Sequence, residues 1–322
     1  MATASDVFEY AALRTGLGAA ACIPLGAASA IAARIATLGY WPLRVRRTVV
    51  ESQLAAAFPD WDQSGVRRVA RQAYEHLGRT AVEAALLPTL SHERVRAMFD
   101  GEGDWSVLAA ALDRGRGAIV VTGHIGNWEL AGAYIAARGV SVTGVVRRMT
   151  NPLFDRYLTA TRERAGLAVI ADDPVRKVPR ALRSGHVVAL VADQGVKGMA
   201  STYVPFFGRL AKTPRGPGVF ALRLGVPLVV GTAIRLPSGR YRALVEPVDV
   251  TDTGDRERDV DAVVARYTGV LERWVRQYPE QYLWHHRRWK RRPEDEAAAA
   301  ARPRKEKGER GEDTNTEPAD DS

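Results

Sequence analysis

Cysteine is almost missing: Cys22 is the only one in 322 residues, which excludes an intrachain disulfide framework and any multi-cysteine metal site and fits a reducing compartment. Acidic side chains are also in deficit, 37 against 46 Lys and Arg. The shortfall is uneven. Residues 293–322 hold ten acids and five bases, a net of −5, so the body before them carries +14 of a +9 total. A basic body attracts anions, whether phospholipid headgroups, nucleic acid or phosphorylated substrates. Zinc-finger spacings and aromatic-basic nucleic-acid motifs are absent, so no nucleic-acid partner is expected, although a soluble nucleic-acid-binding protein would share the charge. Seven Trp, and arginines beside apolar segments, favour a membrane surface. The start "MATASDVFEY" lacks the basic region of a cleaved signal peptide. What is present, 46% apolar residues and 29 Gly, is the composition of a folded globular chain.

One run, Thr15–Ala33, passes nineteen residues without a charge. A bilayer span needs ~20 apolar residues. This one is rich in Ala and Gly, interrupted by Pro24, flanked by Arg14 and Arg34, and followed by Tyr40 and Trp41 as in an interfacial belt. It reads as a weak single span or a helix lying in the interface, with an Ala-rich soluble core helix as the plain alternative. Three regions follow: 1–41, a membrane-associated segment; 42–292, the main domain; and 293–322, a charged tail whose acidic, Pro and Gly content predicts disorder.

From Pro42 to Arg114 apolar residues recur at three and four spacing, which predicts helices without obvious chemistry; Ser64 and Asp104 are candidate starts for two of them. After Arg116 the rhythm changes. "AIVV", "VSVTGVV", "LAVIA", "VVALVA" and "VPLVVGTAI" have strand length and alternate with helical stretches closed by Gly139, Gly166, Gly185 and Gly225. "RYRALVEPVDV" reads as an edge strand and residues 255–279 as a long amphipathic helix. The fold class is α/β, a mainly parallel central sheet flanked by helices, with N-terminal membrane-associated helices.

Ligands gather at the carboxyl ends of strands in such sheets. His124 stands there, after "AIVVTG", and Asn127 can cap a helix carrying Glu129. An imidazole beside a carboxylate serves as a general base. Five residues apart on one helix the pair would be ~140° apart, so His124 belongs on the turn before it, which Gly123 and Gly126 permit. A lone strand-end His is more often a satisfied polar residue, and Glu129 would suit any helix's first turn.

The block "HIGNWE", with "RRMTNP" at 147–152, "ADQGVKG" at 192–198, "VPFFGRLAKTPRGP" at 204–217 and "YPEQYLWHHRRWKRRP" at 278–293, resembles the bacterial lipid A late acyltransferases and the related phosphatidylinositol mannoside acyltransferases. The resemblance runs in order from Trp41 to Pro293 and implies a glycerolipid-acyltransferase-like fold. It implies His124 as the base that takes a hydroxyl proton and Glu129 as the acid that orients it, with Asn127 positioning the loop. It places Arg147, Asn151 and Pro152 at a site for phosphate or the developing oxyanion, and Asp193 with Gln194, and Phe206 with Phe207, in substrate-binding blocks. Lys212 and Arg215 join them as phosphate-screening cations, since a helix start offers free amides. Thr202 and Tyr203 stand where the mannoside branch carries an acid, which favours the lipid A branch.

Bland readings accompany each block: Arg147 at a solvated strand end, Asp193 as a turn cap, Phe206 and Phe207 as core, His285 and His286 with "RRWKRR" as a basic aromatic surface. No spaced ligand set suggests a metal. The activity expected is O-acyl transfer from acyl carrier protein or acyl-coenzyme A to a lipid or glycolipid hydroxyl, with no further cofactor, at the cytoplasmic face of the plasma (inner) membrane. An inactive lipid-binding protein of the same fold is the alternative.

Overall fold

A computed structural model describes residues 2–195 and 199–290, so the expected tail at 293–322 and part of the "ADQGVKG" block lie outside the described residues. The uncharged N-terminal run is not one helix. It divides at Cys22–Pro24 between α1 (Ala4–Ala21), started by a Thr3/Asp6 capping box, and α2 (Leu25–Tyr40). Proline cannot donate into a continuing helix, which is why the break falls there. No helix among the described residues is long and apolar enough to cross a membrane.

The helical region holds α3 (Arg47–Ala57), α4 (Gln63–Leu86), α5 (His92–Ala97) and α6 (Trp105–Leu112). Asp62, not Ser64, caps α4, its carboxylate accepting the Gly65 amide at 2.7 Å. Asp104 does precede α6, but its carboxylate accepts from the Val245 amide at 3.1 Å instead of capping the helix.

Strands and helices then alternate as their apolar periodicity predicts: β1 (Ala118–Thr122), α7 (Trp128–Ala137), β2 (Val142–Val145), α8 (Pro152–Arg164), β3 (Leu167–Ile170), α9 (Pro174–Arg183) and β4 (Val187–Val191). A hairpin, β5 (Ser201–Phe206) and β6 (Arg209–Pro214), leads to α10 (Gly216–Leu224), β7 (Leu228–Arg235), β8 (Tyr241–Val248) and α11 (Arg256–Gln277). The main sheet has the order β3-β2-β4-β1-β7-β8, parallel except for β8, which pairs antiparallel to β7 at the edge.

Alternation along β1 divides the core. Ile119 and Val121 pack with α4, α10 and α11, whereas Ala118 and Val120 face α6 and α7. Each fully buried Ile, Val or Leu of this kind contributes about 1.5–3 kcal/mol. The β5–β6 hairpin was not foreseen in the sequence. Its two turn residues, Phe207 and Gly208, both hold positive φ, 53° and 69°, the requirement of a tight turn between right-twisted strands. Phe207 tolerates that shape because its amide donates to Glu272 Oε2 at 2.7 Å and Arg276 lies 4.3 Å over its ring.

Candidate active site

Strand register builds the site. In the parallel pair β1/β4, Thr122 lies opposite Val191. Two residues beyond each stand His124 and Asp193, which the register therefore brings side by side at the carboxyl edge. Asp193 Oδ1 lies 2.7 Å from His124 Nδ1, and Oδ2 accepts the His124 amide at 3.0 Å. Gly123 is what allows the approach, since a Cβ there would sit 3.3 Å from that of Asp193.

The carboxylate that steadies the imidazole is thus Asp193, where the sequence pointed to Glu129. Glu129 does open α7, but it faces α8, and its oxygens accept from Arg162 Nε at 2.9 Å and Nη2 at 2.5 Å. The Trp128 ring stands edge-on to His124, with centroids 4.9 Å apart.

Burial pushes the His124 pKa down, but the Asp193 charge and hydrogen bond, helped by the Glu129 charge, outweigh it and the pKa rises above its usual 6.5. For Asp193 burial pushes upward, yet His124, through its charge and two hydrogen bonds, and Arg288, through its charge, pull the pKa to about 2. Asp193 is therefore ionised at neutral pH. Its carboxylate accepts a hydrogen bond from Nδ1–H, which leaves Nε2 as the basic nitrogen, while Gln194 Nε2 lies 3.0 Å from the same Nδ1.

The loop carrying His124 is pinned from below. Gly126 holds φ 62° and runs so close to β7 that a Cβ would meet the Ala233 carbonyl at 2.1 Å. His76 Nε2 lies 3.0 Å from the Gly126 carbonyl. Burial lowers the His76 pKa to about 4, so the ring is neutral. Asn127 caps α7 through Leu130 N at 3.0 Å and donates to Glu83 Oε2 at 3.2 Å. Glu83, 1% exposed, also accepts from Ser29 at 2.6 Å and from Arg235 and Tyr241. Helix α4, read as carrying no obvious chemistry, thus holds the loop of His124 through His76 and Glu83.

His124, Trp128, Glu129, Arg162 and Gln194 stand on the wall of a cavity of about 870 Å³ that runs between the sheet and α7. Its inner part is lined by Phe99, Trp105, Leu108, Val120, Tyr134 and Ile135. Arg147, exposed, lines its rim. The size lies within the ~300–1,000 Å³ of small-molecule sites.

Other expected site residues fall elsewhere. Asn127 is fully buried, spends its amide on the cap and Glu83 and does not line the cavity, so it positions the loop. Asn151 caps α8 and donates to the Asp6 carbonyl at 3.3 Å, tying α1 down. Phe206 and Phe207 do not line the cavity; they pack in the core with Tyr282, Trp284 and Phe58. Arg215 is held by Glu257 at 2.7 Å and Asp261 at 3.0 Å and does not line the cavity, although its neighbours Pro214 and Gly216 do. Lys212 sits on β6, also off the cavity lining, its ammonium 6.0 Å from the Tyr203 ring centroid.

The described part of the "HHRRWKRR" block is only partly a surface: Arg287 and Lys290 are exposed, but Arg288 and Trp289, with Trp284 before them, are buried, and Arg288 donates to the Lys212 carbonyl and Thr213 Oγ1, both at 2.6 Å. Arg162 and Arg288 were missed. Only the register of Asp193 was open to inference from strand offsets; the two arginines had no distinguishing sequence signal.

The structure is that of an α/β protein with an imidazole, held by a buried aspartate, on the wall of a mainly apolar cavity at the carboxyl edge of a mostly parallel sheet. The model of the bacterial lipid A biosynthesis acyltransferase family matches residues 4–291, and the chain belongs to that family. It is 27% identical over 258 residues to the lipid A biosynthesis palmitoleoyltransferase of Escherichia coli, covering 80% of this chain and 82% of that one. Against the lauroyltransferase of lipid A biosynthesis in the same organism, identity is 26% over 254 residues, 78% and 81% of the two chains. A phosphatidylinositol mannoside acyltransferase of Mycobacterium tuberculosis is 31% identical over 162 residues, 48% of this chain and 51% of that one.

Proposed function

We propose that the chain moves a fatty acyl group from a thioester, on acyl carrier protein or coenzyme A, to a hydroxyl of a lipid A precursor or a related glycolipid or lysophospholipid. The transfer takes place at the cytoplasmic face of the plasma membrane. His124 Nε2 accepts the hydroxyl proton as that oxygen attacks the thioester carbonyl; the tetrahedral intermediate collapses, the C–S bond breaks, and the imidazolium returns the proton to the leaving thiolate. The acyl chain lies in the cavity beneath α7, and Arg147 at the rim meets phosphate or oxyanion. No acyl-enzyme is required: Cys22 is exposed just after α1 and is not on the cavity lining, and the sequence holds no serine elbow.

The observation that carries this reading is His124 on the wall of an apolar cavity with the buried Asp193 carboxylate behind it. Incubation with acyl thioesters of graded length and a lipid A precursor, read by mass spectrometry, is expected to give an acceptor heavier by one acyl group. Absence of any such increment across acceptors defeats the proposal. Gly144 sharpens the test. It lines the cavity, its register partners are Ala168 and Ala189, and a Cβ would meet nothing nearer than the Ala168 carbonyl at 4.0 Å. Gly144→Leu is expected to fold normally and to lower transfer of the longest accepted chain by roughly tenfold or more, sparing shorter ones.

A further inference from the structure

Arg288, 5% exposed, is the only Lys or Arg buried among the described residues. Its guanidinium donates to two neutral acceptors, the Lys212 carbonyl and Thr213 Oγ1, and lies 5.2 Å over the Phe206 ring, while Nε has no hydrogen-bond partner among the described residues. None of these contacts supplies a countercharge, and a buried ion without one is costly.

The segment that carries this arginine is built onto the site. Gln53 accepts the Arg288 amide and donates to the Trp284 carbonyl, both at 2.6 Å. Earlier in the segment the chain pairs in the antiparallel sense with the loop of His124: the Gly126 amide donates to the Gln281 carbonyl and the Leu283 amide to the His124 carbonyl, both at 2.9 Å. The Lys212 carbonyl that Arg288 holds runs against Gly195, where a Cβ would sit 2.8 Å from that oxygen. Gly195 stands two residues after Asp193, so the oxygen that anchors the guanidinium abuts the turn that carries the carboxylate.

Burial opposes the Asp193 charge, which His124 and then Arg288 sustain. Tyr267, Tyr282 and His286 also feel that carboxylate, but burial keeps them neutral, raising the two hydroxyls and lowering the imidazole, which Arg46 lowers further. Glu129, whose charge reaches His124, is held by Arg162. Asp193 therefore has two cations beside it among the described residues. When His124 is neutral, as it must be to accept a proton, only Arg288 remains.

We infer that Arg288 is a positioning residue of the transfer: it balances the Asp193 carboxylate whenever His124 is neutral, and so leaves the imidazole free to take the hydroxyl proton. The inference rests on His124 as the base and assigns the charge that stands behind its partner. Without Arg288 the buried carboxylate would be balanced only by a proton kept on His124 or on Asp193 itself, and that proton would leave only at higher pH.

Titration of the His124 ring in the full chain, followed by NMR of the ring nitrogens, tests this beside the pH profile of acyl transfer. Arg288→Gln is expected to displace both toward base, so that turnover at the foot of the ascending limb falls roughly tenfold further below its own plateau than in the native chain. Arg288→Lys keeps the charge and is expected to hold the native position even where its plateau drops. In an Asp193→Asn background, Arg288→Gln is expected to move the ring's titration little, because the acid it balances is gone. A merely structural arginine would lower the plateau and leave the limb in place. A folded Arg288→Gln whose ring titrates at the native pH or toward acid overturns the inference, as does Arg288→Lys moving as far as Arg288→Gln, or an equal shift in the Asp193→Asn background. Should Arg288→Gln not fold alone, the double variant with Asp193→Asn is expected to fold; an unfolded double variant assigns the arginine to packing and overturns the inference. A native chain that transfers no acyl group defeats acyl transfer as the function and leaves the ring titration to decide Arg288 on its own.

Discussion

His124→Ala is expected to lower acyl transfer by roughly 10³-fold while the chain folds and binds lipid as before, because a positioned general base supplies ~10²–10⁴-fold. The loss falls on turnover. Among the described residues the ring's hydrogen bond is the one its Nδ1–H gives Asp193, the backbone amide of residue 124 keeps donating to that carboxylate in the variant, and the ring is only partly covered, so its removal opens no deep cavity. Steady-state transfer assays, with circular dichroism as the folding control, measure this. Near-native turnover in a folded variant would falsify the base role.

The second large effect is on stability. Glu83→Ala is expected to cost about 3–5 kcal/mol, since removing one partner of a buried ion pair strands the other. Arg235, whose side chain is only 18% exposed, would lose its carboxylate, and Ser29, Asn127 and Tyr241 would each lose an acceptor. These groups come from α2, α7, β7 and β8, so one residue knots four elements beneath the catalytic loop. Denaturant unfolding should show a lower midpoint with an unchanged slope, and Glu83→Gln, which keeps an acceptor of the same shape, should recover part of the loss. An unfolding free energy within about 0.5 kcal/mol of native would show that the knot is dispensable.

These two expectations draw on different depths of the sequence. The parallel core was legible because "AIVV", "VVALVA" and "VPLVVGTAI" are apolar runs of strand length separated by helical stretches, and each became a strand of the sheet. His124 was legible from its place at the end of the first run. Its true partner was not, because local spacing favours Glu129 while pairing between strands 69 residues apart selects Asp193. Phe206 and Phe207 read as groove residues because sequence cannot show which side of a hairpin faces a cavity; the turn strain at Phe207 and the contacts of Glu272 and Arg276 make them structural. Arg215 looked free to meet phosphate only because its partners, Glu257 and Asp261, lie on a helix far along the chain. Buried His76 and Glu83 hid in an ordinary amphipathic helix for the same reason: their partners are tertiary.

The measurement closest to the central claim is the pH dependence of turnover in the native chain and in Asp193→Asn. In the native chain the basic form of His124 accumulates only above a pKa raised past 6.5, so activity should climb with pH through that raised value. Replacing the carboxylate removes the charge that holds the imidazolium and leaves burial as the largest influence, opposed only by Glu129. The account predicts a plateau lower by roughly 10²–10⁴-fold and an ascending limb displaced toward acid. A limb that stays where the native one lies, or moves toward base, would contradict an imidazole tuned by Asp193 as the group that takes the proton.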